Sequence, residues 1–448
     1  MAQLARKLRT VDYFTLGFGT MVGVGWLVLM DDWLSRGGPL GAILGFAIGG
    51  AALLPIGYVY ARLVIALPDA GSEIAYTRKA FGRSTSFITG WVMMLAYLIV
   101  CPWEAVAFSK MAAYVFPSLN SIELYRVAGL PIYLPGLVIG LGLTAVITAA
   151  NFRGIRLSAT FQNWMTFGLL ALFCVFTSLG LAKGKPGNFL PLTSHGGWVS
   201  FLLVLQIVPY FMTGFECVPK CAEEANPGFR AGGFFRAILL AICVGIAFYV
   251  IIIAIVCYVA PWRQLVTADL ATAVAFQRAF GARWIADLII VAALLSLLKI
   301  FNGNFIGASR MLFALGRDGL VNERFGQIHS VNETPFVAVL GIGGVTAAAV
   351  LLGQAVLVPI TEVGSLASAI GWLAASASYM RIGSRLRERT IAVVGALVAL
   401  LLLLRKVLPC VPGHFSRIEY LALALWILAG FALRRRGPVS AAQRRAAE

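Results

Sequence analysis

Charged residues are scarce in this 448-residue chain. Lys, Arg, Asp and Glu make up 12% of it and hydrophobic residues 60%, whereas an ordinary soluble domain has roughly 25% charged residues. The longest polar stretches, Pro68 to Arg83 and Gly316 to Glu333, are each shorter than ~20 residues, far below the size of a domain. The composition therefore excludes a water-soluble protein and a large soluble domain.

Enzyme motifs are also missing. The chain has no His-Glu-x-x-His zinc motif, no Gly-Lys-Ser/Thr phosphate loop and no Gly-x-Ser-x-Gly elbow. Its three histidines, His195, His329 and His414, lie in different predicted loops. Cys217 and Cys221 are one helical turn apart without a nearby His, and the other five cysteines are scattered. We therefore expect no enzymatic activity, metal site, cofactor or disulfide framework.

The hydrophobic residues are concentrated in long runs. Several exceed the ~20 residues that span a ~30 Å hydrocarbon layer as a helix. The seven long charge-free runs are Tyr13 to Met30, Gly37 to Ala61, Ser84 to Trp103, Val127 to Phe152, Leu157 to Ala182, Ala237 to Trp262 and Thr334 to Thr361. Five shorter or interrupted runs are Gly187 to Phe215, Ala282 to Leu315, Val363 to Met380, Thr390 to Leu404 and Tyr420 to Leu433. None alternates apolar with polar residues as a barrel strand does, so the sequence predicts an all-α polytopic membrane protein with about twelve transmembrane helices, the first retained rather than cleaved.

The net charge of +17 comes from short basic clusters between the apolar runs. These clusters form no single stripe with interleaved aromatics, so we expect the lipid bilayer and no nucleic acid as a partner. One set of alternate loops holds 24 of the 36 Lys and Arg residues and the other set holds 10, while Lys110 and Lys299 fall inside predicted helices. The positive-inside rule then predicts a multi-pass protein of the cytoplasmic (inner) membrane with both termini in the cytoplasm.

Two predicted helices carry helix-breaking residues. The first contains four glycines between Gly17 and Gly25, and the sixth runs from Pro209 through Gly214 to Glu216. Unpaired backbone at membrane depth is tolerated only where it lines a cavity or is buried in protein, so both helices are expected to break near mid-membrane. The spacing Gly41/Gly45/Gly49 in the second helix instead indicates close helix packing.

The broken helices 1 and 6 begin two successive sets of five helices. Because each set has an odd number of helices, the second is inverted relative to the first, an arrangement typical of secondary transporters. We therefore predict a ten-helix core over residues 1–389, with inverted repeats at about 11–182 and 197–381. Two C-terminal helices and a basic cytoplasmic tail would follow over residues 390–448.

Four segments resemble motifs of the amino acid/polyamine/organocation (APC) permeases, which have the LeuT-type fold. They are Gly19 to Gly25, Pro68 to Gly82, Gly214 to Glu216 with Ala222 to Pro227, and Ser309 to Gly319. The resemblance implies a secondary active transporter that moves amino acids or related amines by alternating access. A polyamine, amino-alcohol or cationic amino acid exchanger is the alternative, ahead of an ion channel or a membrane-embedded enzyme, and the sequence leaves monomer and homodimer open.

The resemblance also implies a substrate site at the two breaks. The amide groups of Val22, Gly23, Val24 and Gly25 would bind a substrate carboxylate at the positive end of the second half-helix. The substrate's ammonium would bind carbonyls around Gly19 and Thr20 in helix 1 and Tyr210, Phe211 and Thr213 in helix 6. Met21, Cys101, Glu104 and Asn304 complete the expected substrate-binding set. Val24 stands where relatives often have a small polar residue, which leaves α-amino acid specificity open.

Four ionisable residues lie deep in predicted helices: Glu104, Lys110, Glu216 and Lys299. Each is a functional candidate, because a charge in the membrane usually faces a cavity or a partner. Glu216 matches a gating carboxylate of the family that responds to protonation, or it binds free amide groups of its own broken helix. Glu104 attracts a second ammonium of the substrate, or it forms an internal pair with Lys299.

One further position bears on the coupling ion, which the sequence does not decide. Some proton-coupled relatives carry a lysine in helix 5 where this chain has Leu169. Proton coupling could then use Glu216 or Glu104, with Lys299 as a further gating residue, or the protein could be an exchanger that needs no ion. Asn304 is expected either to bind substrate or only to join helices by hydrogen bonds.

Overall fold

The structure is a computed structural model that describes residues 3–268, 270–383, 385–409 and 414–435, with the backbone alone at 354–362. Residues 436–448 of the predicted basic tail lie outside the described residues. The helices are α1 Thr10–Met21, α2 Gly25–Val28, α3 Met30–Ala51, α4 Leu54–Ala66, α5 Glu73–Phe81, α6 Arg83–Leu98, α7 Val100–Val115, α8 Leu134–Arg153, α9 Ile155–Lys183, α10 Gly197–Leu205, α11 Val208–Phe211, α12 Cys217–Lys220, α13 Gly232–Val259, α14 Ala271–Phe280, α15 Arg283–Arg317, α16 Phe336–Val350, α17 Gly353–Ile382, α18 Leu386–Val407 and α19 Arg417–Leu433. A short hairpin is formed by β1 Glu123–Val127 and β2 Leu130–Tyr133.

The protein is a polytopic all-α membrane protein. In the described ranges, eight helices or nearly continuous helix pairs are long and apolar enough to cross a membrane. Each of the twelve predicted runs coincides, in order, with a helix or an interrupted helix. The four runs outside the eight are the interrupted α10–α12, the 15-residue α16, the 17-residue α19, and α17, whose side chains are only partly described.

Three predicted boundaries were wrong. Residues 127–133 form the hairpin rather than the start of a helix, because Ala128 and Gly129 both adopt positive φ angles of 47° and 84° and close a tight turn. The ninth run was predicted to reach Thr361, but α16 ends at Val350 and the next helix already begins at Gly353. Regular helix in the sixth run begins at Gly197 rather than at Gly187.

Small residues set how closely the helices approach one another. A Cβ atom added at Gly41, Gly45 or Gly49 of α3 would lie within 3.0 Å of side chains on α10 or α11, which confirms the predicted packing role of this spacing. On α15, a Cβ atom at Gly303 would lie 2.0 Å from the hydroxyl oxygen of Thr20. The long helix α15 therefore packs directly against the end of α1.

Both predicted breaks are present. Helix α1 ends at Met21 and α2 begins at Gly25, while α11 ends at Phe211 and α12 begins at Cys217. The two breaks touch, because the Cα of Gly214 faces the backbone of α1 so closely that a Cβ atom there would lie 2.6 Å from the amide nitrogen of Met21. The division into two inverted repeats stays a prediction.

Candidate functional site

A cavity of about 110 Å³ lies where the two breaks meet. Its walls come from α6, α7, α15 and α17 as well as from the breaks. Ten of the twelve expected substrate-binding residues line it: Thr20, Met21, Gly23, Val24, Gly25, Glu104, Tyr210, Phe211, Thr213 and Asn304. Glu216, expected as a gating residue, lines it too. Val22, Cys101 and Lys299 do not belong to the lining.

The break in helix 1 exposes fewer amide groups than predicted. Val22 still donates its amide to the carbonyl of Phe18, at 2.9 Å, so its predicted role as a free donor was wrong. Leu27 and Val28 donate to the carbonyl of Val24. The amides of Val24 and Gly25 therefore precede the first hydrogen-bonded turn of α2 and have no intrahelical acceptor, as at any helix start. Val24 and Gly25 both line the cavity.

Lys299 occupies the other side of this break. Its ammonium donates to the carbonyl oxygens of Gly19, at 3.2 Å, and of Val22. The hydroxyl of Ser296, one turn earlier on α15, donates to the carbonyls of Val22 and Gly23, at 3.1 and 2.8 Å. The carbonyl of Gly19, predicted to be available to the substrate, is therefore already bound by the protein itself.

Glu104 lies in the cavity wall with one carboxylate oxygen that has no hydrogen bond. Its side chain is 4% exposed, and its Oε2 atom has no hydrogen bond. The predicted Glu104–Lys299 pair does not form in the described residues, because the ammonium of Lys299 is turned to the carbonyls of helix 1. The two charges are still near enough to attract one another.

Glu216 binds a free amide group of its own broken helix, which is one of the two alternatives that the sequence left open. Its Oε2 atom accepts the amide of Gly214 at 2.8 Å, so the carboxylate satisfies a donor that the break in helix 6 sets free. Gly214 has a φ angle of 126°, a backbone conformation that residues with a side chain rarely adopt. Glu216 is thus both a support of the break and part of the cavity lining.

The remaining expected residues have mixed environments. Cys101 is buried, its thiol donates to the carbonyl of Tyr97 at the end of α6, and it does not line the cavity. Asn304 lines the cavity while its amide group donates to the carbonyl of Ile300 at 2.8 Å. Asn302 only joins helices, since it bonds to side chains of α8 and α9. For Cys101, the interruption between α6 and α7 changes which way the following side chains point, and the sequence does not show where that interruption lies.

Comparison with known proteins identifies the chain at this point. The sequence model of a family described as amino acid permease matches residues 8–432. The chain belongs to the amino acid permease family. This confirms the resemblance found in its motifs and makes the protein a transporter rather than an enzyme. In the described residues, no three His, Cys, Asp or Glu side chains are grouped so as to hold a metal ion.

Several curated relatives are similar to this permease along most of its length. A branched-chain amino acid permease of Bacillus subtilis is 29% identical over 83% of this chain and 79% of the relative. A methylthioribose transporter of the same organism is 27% identical over 74% of this chain and 72% of the relative. Cationic amino acid transporter 4 of Mus musculus is 27% identical over 81% of this chain, which spans 58% of that longer protein. Members of the family therefore carry names with quite different substrates.

The permease also has buried ion pairs that the sequence did not predict. On the side of the bundle that carries the N-terminus, hereafter the N-terminal face, Lys220 pairs with Glu73 at 2.8 Å and Arg310 pairs with Glu224 at 2.7 Å. All four side chains are fully buried. Glu73, Glu224 and Arg310 lie inside the family motifs, yet a motif alone does not tell which charges meet. Lys220 lies outside these motifs, at the end of α12.

These pairs lie next to the central cavity. The ammonium of Lys220 also donates to the backbone carbonyl of Glu216, at 3.0 Å, and lies 4.8 Å from the ring centre of Tyr97. Tyr97 and Glu216 both line the cavity. Nearer the surface, Arg317 pairs with Asp69 and Glu223 at 2.7 and 2.6 Å. The N-terminal face is therefore closed by two layers of ion pairs.

Proposed function

We propose that this permease carries amino acids or amines with a second cationic group across the cytoplasmic membrane. One observation supports the choice above all others: a buried carboxylate oxygen of Glu104 has no hydrogen bond although its side chain lines the cavity. An unpaired carboxylate in a buried site is costly unless a cation joins it. A substrate ammonium would supply that partner.

The position of Lys299, the other cation that could pair with Glu104, also supports this assignment. Lys299 is the lysine that could have neutralised Glu104, but its ammonium binds carbonyls of helix 1. A substrate with an apolar side chain would bury Glu104 without compensation. The relative from Mus musculus is named as a cationic amino acid transporter, whereas the branched-chain and methylthioribose names agree less well with a charged pocket.

The other site residues take roles that follow from their positions. The amides of Val24 and Gly25 bind the substrate carboxylate at the start of α2. The rings of Tyr210 and Phe211 cover the cavity on the side away from the N-terminal face, because both also line a larger cavity beyond it. Thr213 and Asn304 form the side wall.

Transport by alternating access fits the closed and open sides of the bundle. Ion pairs close the N-terminal face, while a cavity of about 810 Å³ lies on the opposite side of Tyr210 and Phe211. The unequal distribution of Lys and Arg supports a cytoplasmic position for the N-terminal face. The structure then corresponds to a permease closed towards the cytoplasm, with residues 11–182 and 197–381 as the two units that rearrange around the site.

Thermal stabilisation of the purified permease by two matched ligands tests the proposal. L-lysine and L-norleucine differ only in the ε-ammonium, and a ligand that binds the folded state raises the melting temperature. We expect lysine to stabilise the wild type more than norleucine. Glu104→Gln should weaken lysine binding about tenfold or more, since a hydrogen bond to a charged group contributes ~1.5–3 kcal/mol, and should change norleucine binding less than twofold.

Glu123→Gln provides the control. Glu123 is an exposed carboxylate that pairs with Arg126 on the hairpin and does not line the cavity, so its loss should leave both ligands unaffected. Equal weakening of lysine and norleucine by Glu104→Gln would reject a direct contact between Glu104 and the substrate's ammonium.

A further inference from the structure

The larger cavity beyond Tyr210 and Phe211 has its own polar lining. It has a volume of about 810 Å³ and shares Val28, Leu29 and Trp103 with the central cavity, besides the two covering rings. A ligand on its way between this side of the membrane and the central cavity would pass through it. Its charged lining residues are Asp32, Arg36, Arg405, Lys406 and Glu419.

Arg405 differs from the other charged residues of this cavity. Arg36 pairs with Asp32 at 2.8 Å, and Glu419 accepts the backbone amide of Ser416 at the start of α19, at 2.5 Å. In the described residues Arg405 has neither an ion pair nor a hydrogen bond, although its Nε atom is buried. The guanidinium is also near enough to Arg36 to be repelled by it. Three cations, Arg36, Arg405 and Lys406, thus line one cavity, and Arg405 has no counter-charge among the described residues.

We propose that Arg405 anchors a second binding site, for the carboxylate of the amino acid on its way to or from the central cavity. The inference rests on the proposed function, because the ligand is the transported amino acid. A guanidinium has its N–H groups in a planar fork that matches the two oxygens of a carboxylate. A carboxylate bound there would satisfy the buried Nε donor and reduce the repulsion between Arg405 and Arg36.

The two cavities would then bind the substrate carboxylate by different groups. In the central cavity, the proposed donors to the substrate carboxylate are the backbone amides of Val24 and Gly25, and no arginine belongs to the described lining. Arg405, at the end of α18, would capture the carboxylate by charge, before the rings of Tyr210 and Phe211 are passed. The guanidinium acts on the carboxylate at close range, through a charge-assisted bidentate pair, and not by attracting the net positive charge of the ligand. Loss of Arg405 should therefore change the KM for uptake more than the maximal rate.

Uptake into proteoliposomes of L-lysine and of cadaverine, which is lysine without its carboxylate, tests this site. We expect Arg405→Gln to raise the KM for lysine about tenfold with the maximal rate within twofold, and not to raise the KM for cadaverine, a dication with no carboxylate for Arg405 to bind. Arg405→Lys keeps the charge without the fork and should fall between wild type and Arg405→Gln. The control is Arg417→Gln, an exposed arginine at the start of α19 that does not line the cavity. Equal changes for lysine and cadaverine, or none, would overturn the proposal.

Failure of the proposed function gives a different result. If the wild type takes up neither compound, the substrate class is wrong, and the anion site is then tested by quenching of tryptophan fluorescence. Trp103 and Trp372 line the cavity, so Arg405→Gln should lower quenching by iodide about twofold without changing quenching by neutral acrylamide. Iodide quenching that is the same in both proteins shows that Arg405 attracts no anion. Iodide quenching that falls, together with an unaltered KM for lysine in a working transporter, shows binding of free anions and contradicts the carboxylate assignment.

Discussion

At the break in helix 1, Lys299 binds two backbone carbonyl groups, and that of Val22 also accepts a hydrogen bond from Ser296. The carbonyls of Gly19 and Val22 lie at the C-terminal end of α1, where the helix dipole favours a positive charge. In many transporters with broken helices such carbonyls coordinate a sodium ion. Here the ammonium of Lys299 on α15 binds these carbonyls. Leu169 on α9, where some relatives carry a lysine, has no charge to offer.

This arrangement predicts transport that does not depend on sodium. We expect uptake of L-lysine into proteoliposomes to stay within twofold when choline replaces sodium, because the ammonium of Lys299 already binds the carbonyls that sodium would need. Lys299→Met should lower uptake by at least about tenfold, since each lost hydrogen bond to a charged group weakens the site by ~1.5–3 kcal/mol.

Lys110→Met is the matched control for this lysine. Lys110 is also a lysine within a transmembrane helix, but it lines a separate cavity beside the hairpin. Its replacement should leave uptake within twofold of wild type. Uptake that requires sodium in the wild type would contradict the role assigned to Lys299.

Sequence alone revealed the site residues whose chemistry is unusual for a membrane helix. Glu104 and Glu216 are rare charges in apolar runs, and Gly23 and Gly25 break a helix, so each is visible without a structure. The orientation of Val22 and Cys101 was not visible, because it depends on where a break interrupts the 3.6-residue period. The partner of Lys299 was also missed, since two backbone carbonyls leave no mark in a sequence.

At the scale of helices, the contact between the two breaks leaves no room for a side chain at Gly214. Gly214 has a positive φ angle, and a Cβ atom on it would lie 2.6 Å from both the amide nitrogen of Met21 and the carbonyl carbon of Thr20. Backbone atoms cannot move aside as a flexible side chain can. The absence of a side chain at this position therefore sets the distance between α1 and the break in helix 6.

Gly214→Ala should consequently abolish measurable uptake and lower the melting temperature of the purified permease. Gly281→Ala is the matched control, because Gly281 also has a positive φ angle, 62°, but no heavy atom lies within 4 Å of its added Cβ atom. The control should lose only ~1 kcal/mol of stability from backbone strain and keep its uptake. If both variants behave alike, strain and not the contact between the breaks is responsible.

The helices themselves were more predictable than their ends. In the described ranges, each of the eight helices or helix pairs that are long and apolar enough to cross a membrane coincides with a predicted apolar run, because the hydrocarbon layer dictates both length and composition. The hairpin at 123–133 was missed because its turn, Ala128-Gly129, continues an apolar run and lacks the polar residues that usually mark such turns. The join between α16 and α17 was missed for the same reason.

Over the whole molecule, closure of the N-terminal face depends on charges that come from distant parts of the chain. Glu73 lies on α5 and Lys220 on α12, and the hydroxyl of Tyr60 on α4 donates to the same carboxylate at 2.7 Å. One unit of the proposed repeat thus supplies the anion and the other supplies the cation. Alternating access requires this pair to separate whenever the N-terminal face opens.

A double-mutant cycle on Lys220 and Glu73 measures that coupling. Lys220→Met or Glu73→Gln alone leaves a buried charge or donor unpaired, so each should lower the free energy of unfolding by about 3–5 kcal/mol for a buried ion pair. The combined variant should lose clearly less than the sum, because neither charge remains, and groups in direct contact couple by ~0.5–3 kcal/mol. Denaturant titration of the purified permease gives these values.

The same variants separate closure from folding. Because the pair must break and re-form in each transport cycle, the combined variant should recover stability without recovering wild-type uptake of L-lysine. Its N-terminal face should also open more readily, which increases labelling of the buried thiol of Cys221, beneath the Tyr13 hydroxyl, by a membrane-permeant maleimide. Full recovery of both stability and uptake would mean that the pair only holds the fold together, and closure of the face would then have to depend on Arg317 and its two carboxylate partners.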